Sequence, residues 1–404
     1  MPMRFGPYLL RECLGTGGMA AVYKGKRRNK SGYETPVVVK ALLPEHRRNG
    51  RYIRLFRDEA RLSAQLAHAN VVRVHDFGAV GDTPYLEMED LSGWNLEQVW
   101  SALAKRGGRL PVSIALTIIG EACRGLAYVH SFVDDAGIRR PIIHRDVSPA
   151  NVMICRDGAI KLVDFGLAQL TRGETLKIDT FLGKLAYMSP EQLERHQLDR
   201  RADVFALGVT LYELVTGRRL FAGANNVDTL QRLQKLVVEP PSRLNPEVPA
   251  ALDVVVLRAI HRDPDQRYPS AAEMMAALDA LAMPLATRAQ LLSYLGTLAP
   301  DVFTHACDEC GAKVAWGEEC ASCTTKVDDA VPIDDVALFD GDALFDGDAP
   351  IPLTALAPPT PWPSLSAAAR LDAFLRRRWL ILVLTLQLLW RRADAWLAAR
   401  RVRA

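Results

Sequence analysis

Apolar positions along this chain change period several times, and each change marks an element. Near the N-terminus, Tyr8-Leu9-Leu10, Ala21-Val22-Tyr23 and Pro36-Val37-Val38-Val39 form short apolar runs separated by Gly, Asn and Ser. Runs of this kind, bounded by turn formers, predict β-strands. The spacing then lengthens. Leu55, Leu62 and Leu66 line one face of a predicted helix that carries Glu59, as a 3.6-residue period requires. Ile160-Lys161-Leu162-Val163 reads as another short strand, and residues 271–281 as a helix closed by Met283-Pro284,. A further helix is predicted over about Thr287 to Leu298, either packed on what precedes it or leading away from it.

Composition alters this picture in two places. The chain has 404 residues, 49% hydrophobic and 24% charged, with a net charge of +3, which suits globular protein and argues against a dedicated nucleic-acid binder. The average hides an acidic stretch at 328–348 and an Arg-rich one at 370–404. The N-terminus has no apolar signal segment, so the expected compartment is the cytoplasm. Of the seven cysteines, Cys13, Cys123 and Cys155 sit among apolar neighbours and read as small buried hydrophobes,.

Four segments carry candidate chemistry: Gly15-Thr16-Gly17-Gly18 followed by Val22, Val38-Val39-Lys40, His144-Arg145-Asp146 ending at Asn151, and Asp164-Phe165-Gly166. Each alone is weak. In this order they supply a phosphate cover, a phosphate-pairing cation, a base and two metal ligands, which are the parts of phosphoryl transfer. Over roughly residues 8–282 the chain resembles the eukaryotic-like protein kinases, most closely the bacterial Hanks-type Ser/Thr branch. Further matches are Tyr187-Met188-Ser189-Pro190-Glu191, Asp203 with Gly208, and Asp263-Pro264-Asp265-Gln266-Arg267-Tyr268, whose Arg pairs with Glu191 in the family.

The resemblance implies an α+β, bilobal kinase fold with a β-rich small lobe over about 8–91 and a helical large lobe over about 92–282. It implies ATP and Mg²⁺ as cofactors and proteins as substrates. Leu14, Gly15, Thr16, Gly17, Gly18, Val22, Val38, Met88, Glu89, Leu91 and Met153 would line the nucleotide site, with Met88 as gatekeeper and backbone groups of Glu89 and Leu91 on the base edge. Lys40, held by Glu59, would pair the phosphates. Asp146 would act as base, and Asn151 and Asp164 would bind Mg²⁺. Arg145 before Asp146 implies control by a phosphate in the activation segment, at Thr180, with Thr171 and Thr175 as alternatives.

Three positions depart from the family. Ala20 stands where a third Gly is usual, Ser148 where most members have Lys, and Lys184 after Gly183 where they have Thr. The last two positions meet in the folded family, so Lys184 is expected to supply the charge that Ser148 lacks. The same departures keep open the alternative of an ATP-binding pseudokinase that acts as a scaffold, and they weaken the exclusion of tyrosine as acceptor.

Beyond residue 282 the expectations are modular: a connecting helix at 283–304, a four-cysteine, zinc-ribbon-like module at 305–326, a linker at 327–364 and an apolar helix at 365–404. Cys307, Cys310, Cys320 and Cys323 form two CxxC pairs, the ligand pattern of a closed, structural tetrahedral Zn²⁺ site. The linker repeats Ala-Leu-Phe-Asp-Gly-Asp at 337–342 and 343–348 and becomes Pro-rich at 350–363. Trp379 to Trp390 is apolar apart from Thr385 and Gln387 and is flanked by Arg. As a helix it spans about 18 Å, short of the roughly 30 Å hydrocarbon core. Contact with a membrane surface through 376–392, a crossing, and a protein-packed helix stay open, as does homodimer formation.

Overall fold

The computed structural model describes residues 2–28, 32–134, 136–165, 184–194, 197–306 and 312–315. In it the three valines before Lys40 organise the first layer. Val37 and Val39 join Tyr8, Leu10 and Tyr85 on one face of a sheet, while Val38 joins Ala20, Leu42, Phe56 and Met88 on the other. Side chains alternate faces along a strand, and both faces here are covered by apolar groups, so this strand reads as an unbroken hydrophobic run. It is β4 (Glu34–Leu42), in a six-stranded antiparallel sheet with β1 (Met3–Phe5), β2 (Tyr8–Thr16), β3 (Ala20–Arg28), β5 (Val74–Val80) and β6 (Thr83–Glu89). The strand order is β1-β2-β3-β4-β6-β5.

Helix α1 (Gly50–Ser63) starts at Asn49, whose side chain accepts from the Arg51 N–H, a favoured N-cap arrangement. Its buried stripe is Phe56, Glu59, Ala60 and Ser63. The predicted stripe of Leu55, Leu62 and Leu66 is displaced, because α1 has two partners. Phe56 and Ala60 meet the sheet, whereas Leu62 packs against the core of the larger lobe. Leu66 lies beyond the helix end.

The larger lobe begins with a small sheet of β7 (Gly93–Asn95), β8 (Val152–Cys155) and β9 (Ile160–Leu162), followed in space by helices. These are α2 (Leu96–Lys105), α3 (Val112–His130), α4 (Pro190–Leu193), α5 (Arg201–Thr216), α6 (Asn226–Lys235), α7 (Pro241–Leu244), α8 (Ala250–Ala259) and α9 (Ala271–Asp279). Residues Ala202 to Thr216 of α5 are all buried, as expected of a helix without a solvent face. Gly208 lets α5 approach α8, since a Cβ there would lie 2.7 Å from Ala259 Cβ. Helix α3 is long and apolar enough to cross a membrane by composition alone. It is instead the axis of this lobe, with Ile118, Ile119, Ala122, Leu126 and Val129 fully buried in the main core. The two lobes are those of the bilobal kinase fold.

The helix predicted after residue 286 is α10 (Arg288–Leu298), with Thr287 and Gln290 capping one another,. It packs on the larger lobe. Thr117 Oγ1 donates to Ala286 O at 3.0 Å, and Arg106 donates to Thr297 O at 2.8 Å. After α11 (Pro300–Phe303), the Phe303 ring is fully buried edge-on to Trp94 of β7, at 6.1 Å. Strands β10 (Thr304–Ala306) and β11 (Lys313–Ala315) then pair antiparallel, with Ala306 opposite Lys313. The four cysteines of the predicted zinc module, the candidate phosphosites Thr171, Thr175 and Thr180, the acidic repeat and the apolar C-terminal helix lie outside the described residues.

Candidate active site

Cross-strand register builds the upper wall of the cleft. Val38 and Lys40 lie two apart on β4 and so share a face. Val22 is paired with Lys40 across β3–β4, and Met88 with Val38 across β4–β6. Ala20, Val38 and Met88 are buried there, while Val22, Leu91 and Val163 are partly buried against the same cluster. On β8, Val152 and Ile154 are wholly buried and Met153 between them is half-buried on the opposite face. Leu14 is half-exposed on β2, and Cys13 beside it is exposed rather than buried, because β2 leaves the core from Arg11 onward, while Cys123 and Cys155 are buried as expected.

The β2–β3 turn closes with Gly17 N–H donating to Ala20 O at 2.8 Å. A Cβ at Gly15 or Gly18 would meet nothing within 4 Å. The protein's own packing therefore does not demand glycine at these two positions. Their small size leaves open space in front of the backbone N–H groups, which suits a phosphate cradle.

Lys40 Nζ lies 2.6 Å from Glu59 Oε1 and 3.2 Å from Asp164 Oδ1. Burial opposes its charge, yet Asp164 and Glu59 more than compensate and raise its pKa. The Lys40 ammonium in turn holds Asp164 below the usual carboxylate range against burial, with a further contribution from Lys184. Lys40 is thus a fixed cation and Asp164 a fixed anion. Asp164 sits at φ +55° and Arg145 at φ +67°, left-handed conformations that cost about 1–3 kcal/mol for such residues.

What holds Arg145 there is Asp203. Its carboxylate, 1% exposed, accepts the backbone N–H groups of His144 and Arg145, each at 2.8 Å, and His130 Nε2 at 2.8 Å. Burial keeps the His144 imidazole neutral by lowering its pKa. Its Nε2 then donates to Val163 O at 3.1 Å, and its ring packs on Phe165. His144 thereby joins the Asp146 loop to the Asp164 loop.

Asp146, 8% exposed, accepts Asn151 Nδ2 at 2.9 Å and Lys184 Nζ at 2.6 Å, both on Oδ2. The structure joins Lys40, Glu59 and Asp164 in one set of contacts and Asp146, Asn151 and Lys184 in another. Ser148 is buried with its Oγ unpartnered among the described residues. Glu191 takes a two-pronged ion pair from Arg267, at 2.7 and 2.8 Å, and Gln192 Nε2 donates to Arg145 O. The segment after Lys184 is in this way clamped to the loop that carries Asp146.

Sequence reading missed two ion pairs around the strand end at Met88. Lys161 Nζ reaches Glu89 Oε1 at 2.7 Å, and Lys24 Nζ reaches Asp90 Oδ2 at 3.0 Å. It also missed the Tyr187–Glu213–Arg219 cluster, in which Tyr187 OH donates to the buried Glu213 at 2.7 Å. Each joins residues distant in sequence, with no local pattern to announce it.

A bilobal molecule with a Lys–Glu pair above and two carboxylates and an amide below has the layout of a protein kinase. Consistent with that, a family model described as the protein kinase domain matches residues 8–278. The chain belongs to the protein kinase family. It is 37% identical over 276 residues to the tyrosine-protein kinase MasK of Myxococcus xanthus, covering 68% of this chain and 43% of that protein. It is 36% identical over 278 residues to the serine/threonine-protein kinase PknB of Mycolicibacterium smegmatis, covering 67% and 42%. The solved PknI kinase domain of Mycobacterium tuberculosis, as its C20A mutant, superposes with a TM-score of 0.53 at 26% identity, over 70% of this chain and 98% of that one. The chain spans less than half the length of the curated relatives it matches. The pseudokinase alternative finds no support: the relatives are named as kinases, and Lys40, Glu59, Asp146, Asn151 and Asp164 are all present and drawn together.

Proposed function

We propose that the chain transfers the γ-phosphoryl group of ATP to a serine or threonine hydroxyl of a protein. The observation that carries this is the double engagement of Lys40, with Glu59 and Asp164, above an Asp146–Asn151 pair. The acceptor oxygen attacks phosphorus as the bond to the β,γ-bridging oxygen breaks, and ADP leaves. Asp146 orients the hydroxyl and takes its proton. Lys40 pairs the non-transferred phosphates, and the glycine turn covers them. The Asp164 carboxylate and the Asn151 amide are hard oxygen donors that fit Mg²⁺, which when bound neutralises the phosphate oxygens.

Arg145 Nε is buried without a partner among the described residues. That supports control by a phosphate placed nearby, at Thr180, Thr171 or Thr175. A second reading, transfer to tyrosine, is favoured by the name of the Myxococcus relative. Phosphoamino-acid analysis after autophosphorylation of the full chain separates the two. Phosphoserine or phosphothreonine is expected, and phosphotyrosine alone would replace the first reading by the second.

The chain also carries a structural zinc site at Cys307, Cys310, Cys320 and Cys323. Its support is the pair of CxxC motifs, the first of which lies in sequence between the paired strands β10 and β11. CxxC presents two thiolates to one ion. About one zinc per chain is expected by metal analysis, with loss of that zinc in Cys310→Ser. A chain purified without zinc that does not take it up would remove this assignment.

A further inference from the structure

Asp146 Oδ2 holds the Lys184 ammonium at 2.6 Å. Asn151 Nδ2 shares the same oxygen at 2.9 Å. Two donors take up both in-plane lone-pair directions of Oδ2, so a hydroxyl reaches that oxygen only once the lysine moves. Lys184 has room to do so, since its side chain is 38% exposed whereas that of Asp146 is 8% exposed. Its backbone is held, because the turn that follows, Leu185–Tyr187, is buried and Glu191 is locked to Arg267. Only the flexible stem is free.

The transferred phosphoryl must pass between Asp146 and Asp164 if the first is base and the second a metal ligand. Two carboxylates there disfavour a phosphate unless cations intervene. Lys40 is committed to Glu59 and Asp164, and the catalytic loop offers only the neutral, buried Ser148 at its third residue after Arg145. Lys184 is a cation already at this site, 2.6 Å from Asp146 Oδ2.

We propose that Lys184 is a two-position cation: it pairs with Asp146 Oδ2 and transfers to the γ-phosphate when ATP binds, freeing that oxygen. This rests on the kinase reading of the site. The ammonium keeps all its protons throughout and exchanges one oxyanion partner for another. Such charge-assisted contacts are short and strong when one partner is buried. The arrangement predicts discrimination between ATP and ADP, because only ATP offers the second partner.

The test uses the full chain and titrates ATP and ADP separately, with Mg²⁺, alongside steady-state phosphotransfer. Lys184→Ala should weaken ATP binding by about tenfold or more and leave ADP binding unchanged, while kcat falls by about 10- to 100-fold. The double variant Ser148→Lys/Lys184→Thr, which returns the cation to the catalytic loop, should recover most of both losses. A purely structural lysine would not be rescued by a charge at residue 148. Equal loss of ATP and ADP affinity, or an unrescued double variant that still folds by thermal melting, would overturn the proposal. If wild-type chain binds ATP over ADP through Lys184 yet transfers no phosphate, the kinase reading fails and the cation assignment stands.

Discussion

Asp146→Asn is expected to lower kcat by about 10²- to 10⁴-fold, the usual contribution of a positioned base, with ATP affinity little changed. The substitution is nearly isosteric, and the local frame is built to survive it. The Asp203 carboxylate still fixes the His144 and Arg145 N–H groups, and Asn151 still donates to the backbone oxygen of residue 146 at 2.8 Å. What is lost is the negative oxygen that holds Lys184 and accepts the hydroxyl proton. Rapid-quench single-turnover measurement beside a nucleotide titration separates the chemical step from binding. Wild-type turnover in this variant would remove the base from the account.

The largest effect on stability is expected at Arg267→Ala, a loss of about 3–5 kcal/mol in denaturant unfolding, the range for stranding one member of a buried ion pair. Arg267 is 1% exposed, and besides the two bonds to Glu191 it donates to the carbonyls of His261, Arg201 and Arg262. Its guanidinium also lies over the Phe205 ring, 4.9 Å from the centroid. Removal leaves a buried carboxylate and three carbonyls short of a donor. Glu191→Ala should cost less, since the arginine keeps its carbonyl partners. Because the two share one interaction, the double variant should be destabilised by less than the sum. Additive losses would mean that the pair is not a coupled unit.

How much of this was legible in the sequence depends on distance along the chain. Asp146 and Asn151, or Asp164 and Phe165, are close neighbours whose spacing is itself the geometry. Glu59 was placed by its match to the family, on a helix read from Leu55, Leu62 and Leu66, even though the buried stripe of α1 runs through Phe56, Ala60 and Ser63 rather than the leucines. Strand β1 was missed because Met3-Arg4-Phe5 has no pattern of its own and is held only by pairing with Tyr8–Leu10. The Lys161–Glu89 and Lys24–Asp90 ties were invisible for a related reason: charged residues on strands ordinarily face water, and only the folded register makes them partners. The departure at Ser148 could be seen. That its hydroxyl is buried without a partner among the described residues, while Lys184 lies on Asp146, required the structure.

The central claim is that this arrangement of Lys40, Glu59, Asp146, Asn151 and Asp164 moves phosphate. Incubation of the purified full chain with γ-labelled ATP and Mg²⁺, beside an Asp164→Ala control, with generic protein substrates present and phosphosites mapped, tests it most directly. Covalent label on protein hydroxyls is expected in the wild-type chain and none in the control, because Asp164 carries the carboxylate that fits the metal and pairs with Lys40. Nucleotide binding with no label on the chain or on any substrate, or label that persists in the Asp164→Ala chain, would contradict it.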